Sequence, residues 1–125
     1  MPATATIQGL DFIILPATDL ARAERFYNGV LGLAIDSRWR DMAIEFELDG
    51  NLTLALVDQA KLGRQFAPSA SGSVGLKVAD VDTAVEALKA KGVEFRDIID
   101  SGVCKMAFFS DPDGNSLMLH HRYAP

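Results

Sequence analysis

The chain has 125 residues, 49% of them hydrophobic and 23% charged, the proportions of one soluble globular domain long enough to bury a core. A formal net charge of −5 with no run of Lys or Arg excludes nucleic acid as a partner, because neutralising phosphates takes a basic patch. Cys104 is the only cysteine, which excludes an internal disulfide. No apolar run reaches the roughly 18 residues of a membrane span, and Met-Pro-Ala-Thr-Ala-Thr at the start carries no signal-peptide pattern; a cytoplasmic protein that touches no membrane is expected.

Leu10 to Leu15 is an apolar run of strand length closed by Pro16. Asp19 is placed to cap a helix whose apolar face is Leu20, Ala23, Tyr27, Val30 and Leu31, widened by Phe26 and ended at Gly32. Leu33 to Arg38 reads as a strand. Met42, Ile44, Phe46 and Leu48 then alternate with Ala43, Glu45 and Glu47, and Asp49-Gly50-Asn51 turns the chain into a further strand from Leu52 to Val57. Residues 58–72 show no periodicity and carry Gly63, Pro68, Ser69, Ser71 and Gly72, the composition of a linker.

The order of elements then repeats. Val74, Leu76 and Val78 alternate, Asp80 caps a helix carrying Val81, Ala84, Val85 and Leu88, Gly92 ends it, and strands resume over Val93 to Ile98. Leu15, Asp19, Leu20 and Ala23 fall on Leu76, Asp80, Val81 and Ala84 at a constant offset of 61. Each half reads as β-α-β-β-β, a unit that cannot cover both faces of its own sheet. The second half closes with Asp111-Pro112-Asp113-Gly114-Asn115 between two strand-like flanks, with Asp at i, Pro at i+1 and Gly at i+3 of a type I turn.

That turn, together with Leu15-Pro16-Ala17-Thr18-Asp19-Leu20, Phe26-Tyr27 and Leu31-Gly32-Leu33, resembles the vicinal oxygen chelate superfamily: glyoxalase I, ring-cleaving dioxygenases and bleomycin-resistance proteins. The resemblance runs from about Leu10 to His120. It implies an α+β fold in which two βαβββ modules, about 8–57 and about 73–121 within a single domain 1–125, form curved sheets around a half-open barrel with the helices outside. It also implies a small-molecule ligand and a homodimer, with the pocket in many members built across the dimer interface.

In the resembled enzymes a divalent metal is held by His, Gln and Glu on the first, fourth, fifth and eighth strands. The first of these positions lies seven residues before the helix-capping Asp, which is Phe12 counted from Asp19 and Ser73 counted from Asp80. The others fall on Ala55, or Thr53 if the alignment slips by two, and on Met118. A phenyl ring, a methyl group, a hydroxyl and a thioether cannot replace imidazole and carboxylate for Mn, Ni or Zn. The reading is therefore that the usual metal site is absent and no cofactor is expected, with a divalent metal only if the ligands are relocated, for example to His120 with Glu45 or Asp11.

Strand alternation extends this face to Ile14, Pro16, Val57, Gly75, Lys77, Ser116 and His120. His120 is a candidate acid, base or hydrogen-bond partner, and His121 points the other way. Lys77 either meets an anionic group or snorkels to solvent. Trp39, between Arg38 and Arg40, either stacks on a planar ligand or packs at a dimer contact. Glu45 and Glu47 read as an exposed strand face, with either entering the cavity if the register differs, and Cys104 as a packing residue. The first reading of function is a metal-free binding protein with its ligand in an apolar pocket. The alternative is a lyase, isomerase or dioxygenase of the same superfamily, with relocated metal ligands or with acid and base chemistry by His120 or Lys77.

Overall fold

The structure, a computed structural model, describes residues 5–49, 52–69 and 72–125. The first four residues, the Gly50-Asn51 part of the predicted hairpin and Ser71 of the predicted linker lie outside them. The first sheet contains β1 (Phe12–Ala17), β2 (Ile35–Trp39), β3 (Ala43–Leu48) and β4 (Leu52–Asp58), in the order β1-β4-β3-β2. The second contains β5 (Val74–Lys77), β6 (Phe95–Asp100), β7 (Cys104–Ser110) and β8 (Ser116–Arg122), in the order β5-β8-β7-β6. In each sheet the first strand runs parallel to the fourth and the other neighbours are antiparallel. These are the two β-α-β-β-β units expected from the offset of 61, and the curved sheets remain open. Pro16 is accommodated because β1 is an edge strand, where a missing N–H costs no ladder bond on the outer side.

The helices begin at equivalent points. Asp19 accepts a hydrogen bond from the Arg22 N–H at 3.1 Å to open α1 (Leu20–Glu24), and Asp80 accepts one from the Thr83 N–H at 3.2 Å to open α2 (Val81–Lys89). Replacing either cap with alanine removes the acceptor of a free helix N–H. Asp19→Ala and Asp80→Ala should each lower stability by about 1 kcal/mol. In urea unfolding this appears as a lower midpoint at unchanged slope, and an unmoved midpoint would mean that the cap contributes nothing.

The first helix departs from expectation. Its α-helical part ends at Glu24, and Arg25–Val30 continues as a π-helical turn in which the Leu31 N–H reaches back to Phe26 O at 2.9 Å. The wider turn leaves Tyr27 fully buried against Phe46, with ring centroids 6.0 Å apart, and Phe26 6.4 Å from Phe109 of the second sheet. Gly32 then closes the segment at φ 78, left-handed backbone that a side chain would resist. Two strands are also shifted: β2 starts at Ile35 and β6 at Phe95, each with an irregularity in its pairing with the next strand.

One core joins the halves. Leu15, Ile44, Phe46, Leu54 and Leu56 from the first sheet pack in the same cluster as Ala107, Phe109, Leu117 and Leu119 from the second, with Ala23, Tyr27, Val81 and Val85 from the helices. The other face of each sheet turns away from the helices. Among the described residues no helix is long and apolar enough to cross a membrane.

Candidate functional site

Alternation along β1, β4, β3 and β2 places one set of side chains on the face of the first sheet turned away from the core. The register sets Ile14 beside Ala55, Pro16 beside Val57, Ala55 beside Glu45, Val57 beside Ala43, and Ala43 beside Trp39. A cavity of about 320 Å³ lies on this face, walled by Phe12, Ile14, Trp39, Ala43, Ala55 and Val57 and bounded by Glu45, Gln59, Leu62 and Arg64. Its lining is mainly apolar with a few polar groups at the margin, the composition of a small-molecule pocket. Phe12, Ile14 and Trp39 are 57%, 50% and 52% exposed, high values for large apolar side chains gathered on one face.

Five candidates, Phe12, Ile14, Trp39, Ala55 and Val57, thus come together, and Thr53 lies beside Phe12 on the same face. Of the two readings open for Glu45, the structure shows the second: it borders the cavity, half-buried, and accepts a hydrogen bond from the Ser37 hydroxyl at 3.0 Å. Ala43, Gln59, Leu62 and Arg64 were not anticipated. Ala43 shares the parity of Glu45 and was legible from it. The other three follow β4 in a stretch without periodicity, where only the three-residue turn Ala60–Leu62 and the left-handed Gly63 bring them back to the sheet.

The remaining candidates occupy the second sheet. Gly75 pairs with Met118 and Lys77 with His120. A side chain on Gly75 would meet Met118 at 3.8 Å, an ordinary contact, so Met118 lies against β5 at this point. Ser73 hydrogen-bonds Ser116, their Oγ atoms 2.5 Å apart. Lys77 is exposed and borders a different cavity, beside Val30 and Leu88. His121 is paired with Lys105, and Cys104 is half-buried at the start of β7.

A larger groove of about 600 Å³ runs between α1 and the ends of β3 and β4. Most of its charged groups are engaged: Arg38 pairs with Glu24 at 2.6 Å and Lys61 with Asp41 at 3.0 Å, while Asp19 and Asp58 accept from the Arg22 and Ala60 N–H groups at 3.1 Å; Arg40 also lines it. Such a groove offers little that a ligand could satisfy, and size does not make it the better candidate.

The Asp111-to-Asn115 turn forms as expected, with the Gly114 N–H donating to Asp111 O at 3.1 Å, and its side chains point back into the first half of the chain. Asp111 accepts from the Tyr27 hydroxyl and from Asn115 Nδ2, both at 2.7 Å; Asn115 also donates to Pro16 O at 2.9 Å. Asp113 accepts from the Thr18 hydroxyl at 2.5 Å and from Arg22 at 2.8 Å. Burial, and then the Asp111 carboxylate, push the Tyr27 hydroxyl far above the usual tyrosine range, so it stays a donor at every physiological pH. This turn holds the two halves together and lies apart from the cavity.

Phe12, Ala55, Ser73 and Met118 stand at the positions where ligands were sought, and Glu45 is the only carboxylate in the cavity wall. Among the described residues no three His, Cys, Asp or Glu are grouped to hold an ion, and neither His120 nor Asp11 borders the cavity that Glu45 enters.

A sequence model of the glyoxalase/bleomycin resistance protein/dioxygenase superfamily matches residues 9–119, and the chain belongs to that superfamily. Solved structures share the fold. A glyoxalase family protein from Bacillus anthracis superposes with a TM-score of 0.82 at 20% identity, over 97% of this chain and 100% of that one. A glyoxalase/bleomycin resistance protein/dioxygenase from Nocardioides gives 0.77 at 26% identity, over 95% and 86%. TnmS3, an antibiotic-binding protein from Streptomyces sp. CB03234, gives 0.75 at 25% identity, over 96% and 100%.

Proposed function

We propose that this chain is a cytoplasmic small-molecule-binding protein that takes a planar, largely apolar compound into the cavity on the first sheet and works without a resident divalent metal. The observation that carries this reading is the cavity itself, with Phe12, Ile14 and Trp39 around half exposed above a floor of Ala55 and Val57. Hydrophobic walls give affinity, Trp39 offers a face for stacking, and Glu45 offers an acceptor for a basic substituent. The similarity to an antibiotic-binding protein supports binding rather than turnover. A homodimer belongs to the same reading, because Ile98 and Ile99 on β6, 48% and 45% exposed, are an apolar surface that a second copy would cover.

Trp39 is the only tryptophan, so its fluorescence reports on the cavity directly. Titration with planar aromatic cations, beginning with an acridine dye, should give saturable quenching, and the protein purified without chelator or tag should contain no stoichiometric metal. Stoichiometric metal, together with no saturable quenching by any planar compound, would overturn the proposal and favour an enzyme with a rearranged ligand set.

A further inference from the structure

The second sheet carries a polar row that the cavity of the first sheet does not use. Ser73 directly precedes β5, Ser116 opens β8, Ser110 closes β7, and Arg96 is the second residue of β6. With the strands ordered β5-β8-β7-β6, these four residues cross the entire sheet at one end. They are linked in sequence by hydrogen bonds. The Arg96 guanidinium donates through Nη1 to the Ser110 hydroxyl and through Nη2 to the Ser116 hydroxyl at 3.0 Å, and Ser116 Oγ is 2.5 Å from Ser73 Oγ.

The direction of these bonds fixes what the row presents. A guanidinium only donates, so both serine oxygens it touches act as acceptors and their protons turn elsewhere. Ser116 is buried and its Oγ lies within hydrogen-bond distance of Ser73 Oγ, where either hydroxyl can donate to the other. The proton of Ser110 is free at the other end. Arg96 is exposed and among the described residues forms no ion pair; its hydrogen bonds go to neutral hydroxyls, with Glu94 and Asp111 bordering the same cavity. The row therefore offers the Ser110 O–H and the unused N–H groups of Arg96, with the exposed Ser73 hydroxyl at its far end. A group with several negative oxygens complements such a row.

We infer that Arg96, Ser110 and Ser73 form an oxyanion subsite, which binds the carboxylate or phosphate group of a small molecule on the second sheet. This goes beyond the cavity reading and does not depend on it, since none of the four residues borders the Trp39 cavity.

The test is an NMR titration of the whole chain with inorganic phosphate and, separately, with acetate, at about 0.15 M sodium chloride so that loosely attracted anions are screened. The Arg96 Nε–H and the Ser110 and Ser116 amide signals should shift saturably with at least one anion; which anion does so tells a phosphate site from a carboxylate site. In Arg96→Gln the affinity followed at the two serine amides should fall roughly tenfold or more, as expected for losing a bidentate charged donor. Arg96→Lys keeps the charge but not the fork, and should also bind more weakly, which covers the case of a poorly folded glutamine variant. Lys105→Gln, which removes a cation paired with Asp82 instead, should bind as the parent does. Absence of a saturable shift with both anions, or equal affinity in the parent and both Arg96 variants, would overturn the inference whatever the outcome of the Trp39 titration.

Discussion

Asp111→Ala should be the most damaging single polar substitution in the chain. The Asp111 carboxylate accepts four hydrogen bonds, from the Tyr27 hydroxyl, Asn115 Nδ2 and the backbone N–H groups of Asp113 and Asn115, at 2.7 to 2.9 Å. Tyr27 and Asn115 are fully buried, so water cannot replace the lost acceptor without opening the core. Leaving several buried donors unpaired at once should cost about 3–4 kcal/mol, which lowers the melting temperature by about 10–15 °C in a domain of this size. Tyr27→Phe removes one donor and leaves Asp111 its other three; about 1 kcal/mol is expected. A double-mutant cycle should find the pair strongly non-additive. If Asp111→Ala melts within a few degrees of the parent, the turn does not hold the two halves together in the manner described.

Trp39→Ala should have the largest effect on ligand affinity while scarcely touching the fold. The indole stands at the end of β2, 52% exposed, borders the cavity, and has the Arg40 guanidinium 6.0 Å from its ring. A large aromatic wall of a small apolar site is typically worth about 2 kcal/mol or more, so calorimetric titration of a planar compound that quenches the parent should show affinity reduced roughly 30-fold. The urea midpoint should move little, because little buried contact is lost. Unchanged affinity in a folded Trp39→Ala protein would place the ligand elsewhere.

Much of this molecule is legible along the chain because it depends on neighbours. Alternation in residues 42–48 and 52–57, two aspartates placed to cap helices, and a Pro-Asp-Gly turn each depend on residues a few positions apart, and all appear in the structure. The offset of 61 adds the duplicated β-α-β-β-β order, and alternation alone separates the core-facing Leu54 and Leu56 from Ala55 and Val57 on the open face. Four donor-poor positions are also plain from residue type.

Only the tertiary structure decided the rest, for reasons of distance. The π-helical turn at Arg25–Val30 comes with Tyr27 reaching Asp111, a partner 84 residues away that no local pattern announces. Glu45 joins the cavity instead of solvent because β4 and the loop carrying Gln59, Leu62 and Arg64 fold over the same face. The Arg96 row assembles from four strands whose order in the sheet differs from their order in the chain. Sequence alone determined the elements and their repetition, through backbone stereochemistry and periodic hydrophobicity acting over a few residues. The cavity, the joint between the halves and the polar row required strands distant in sequence to lie side by side, and packing of the shared core decided that.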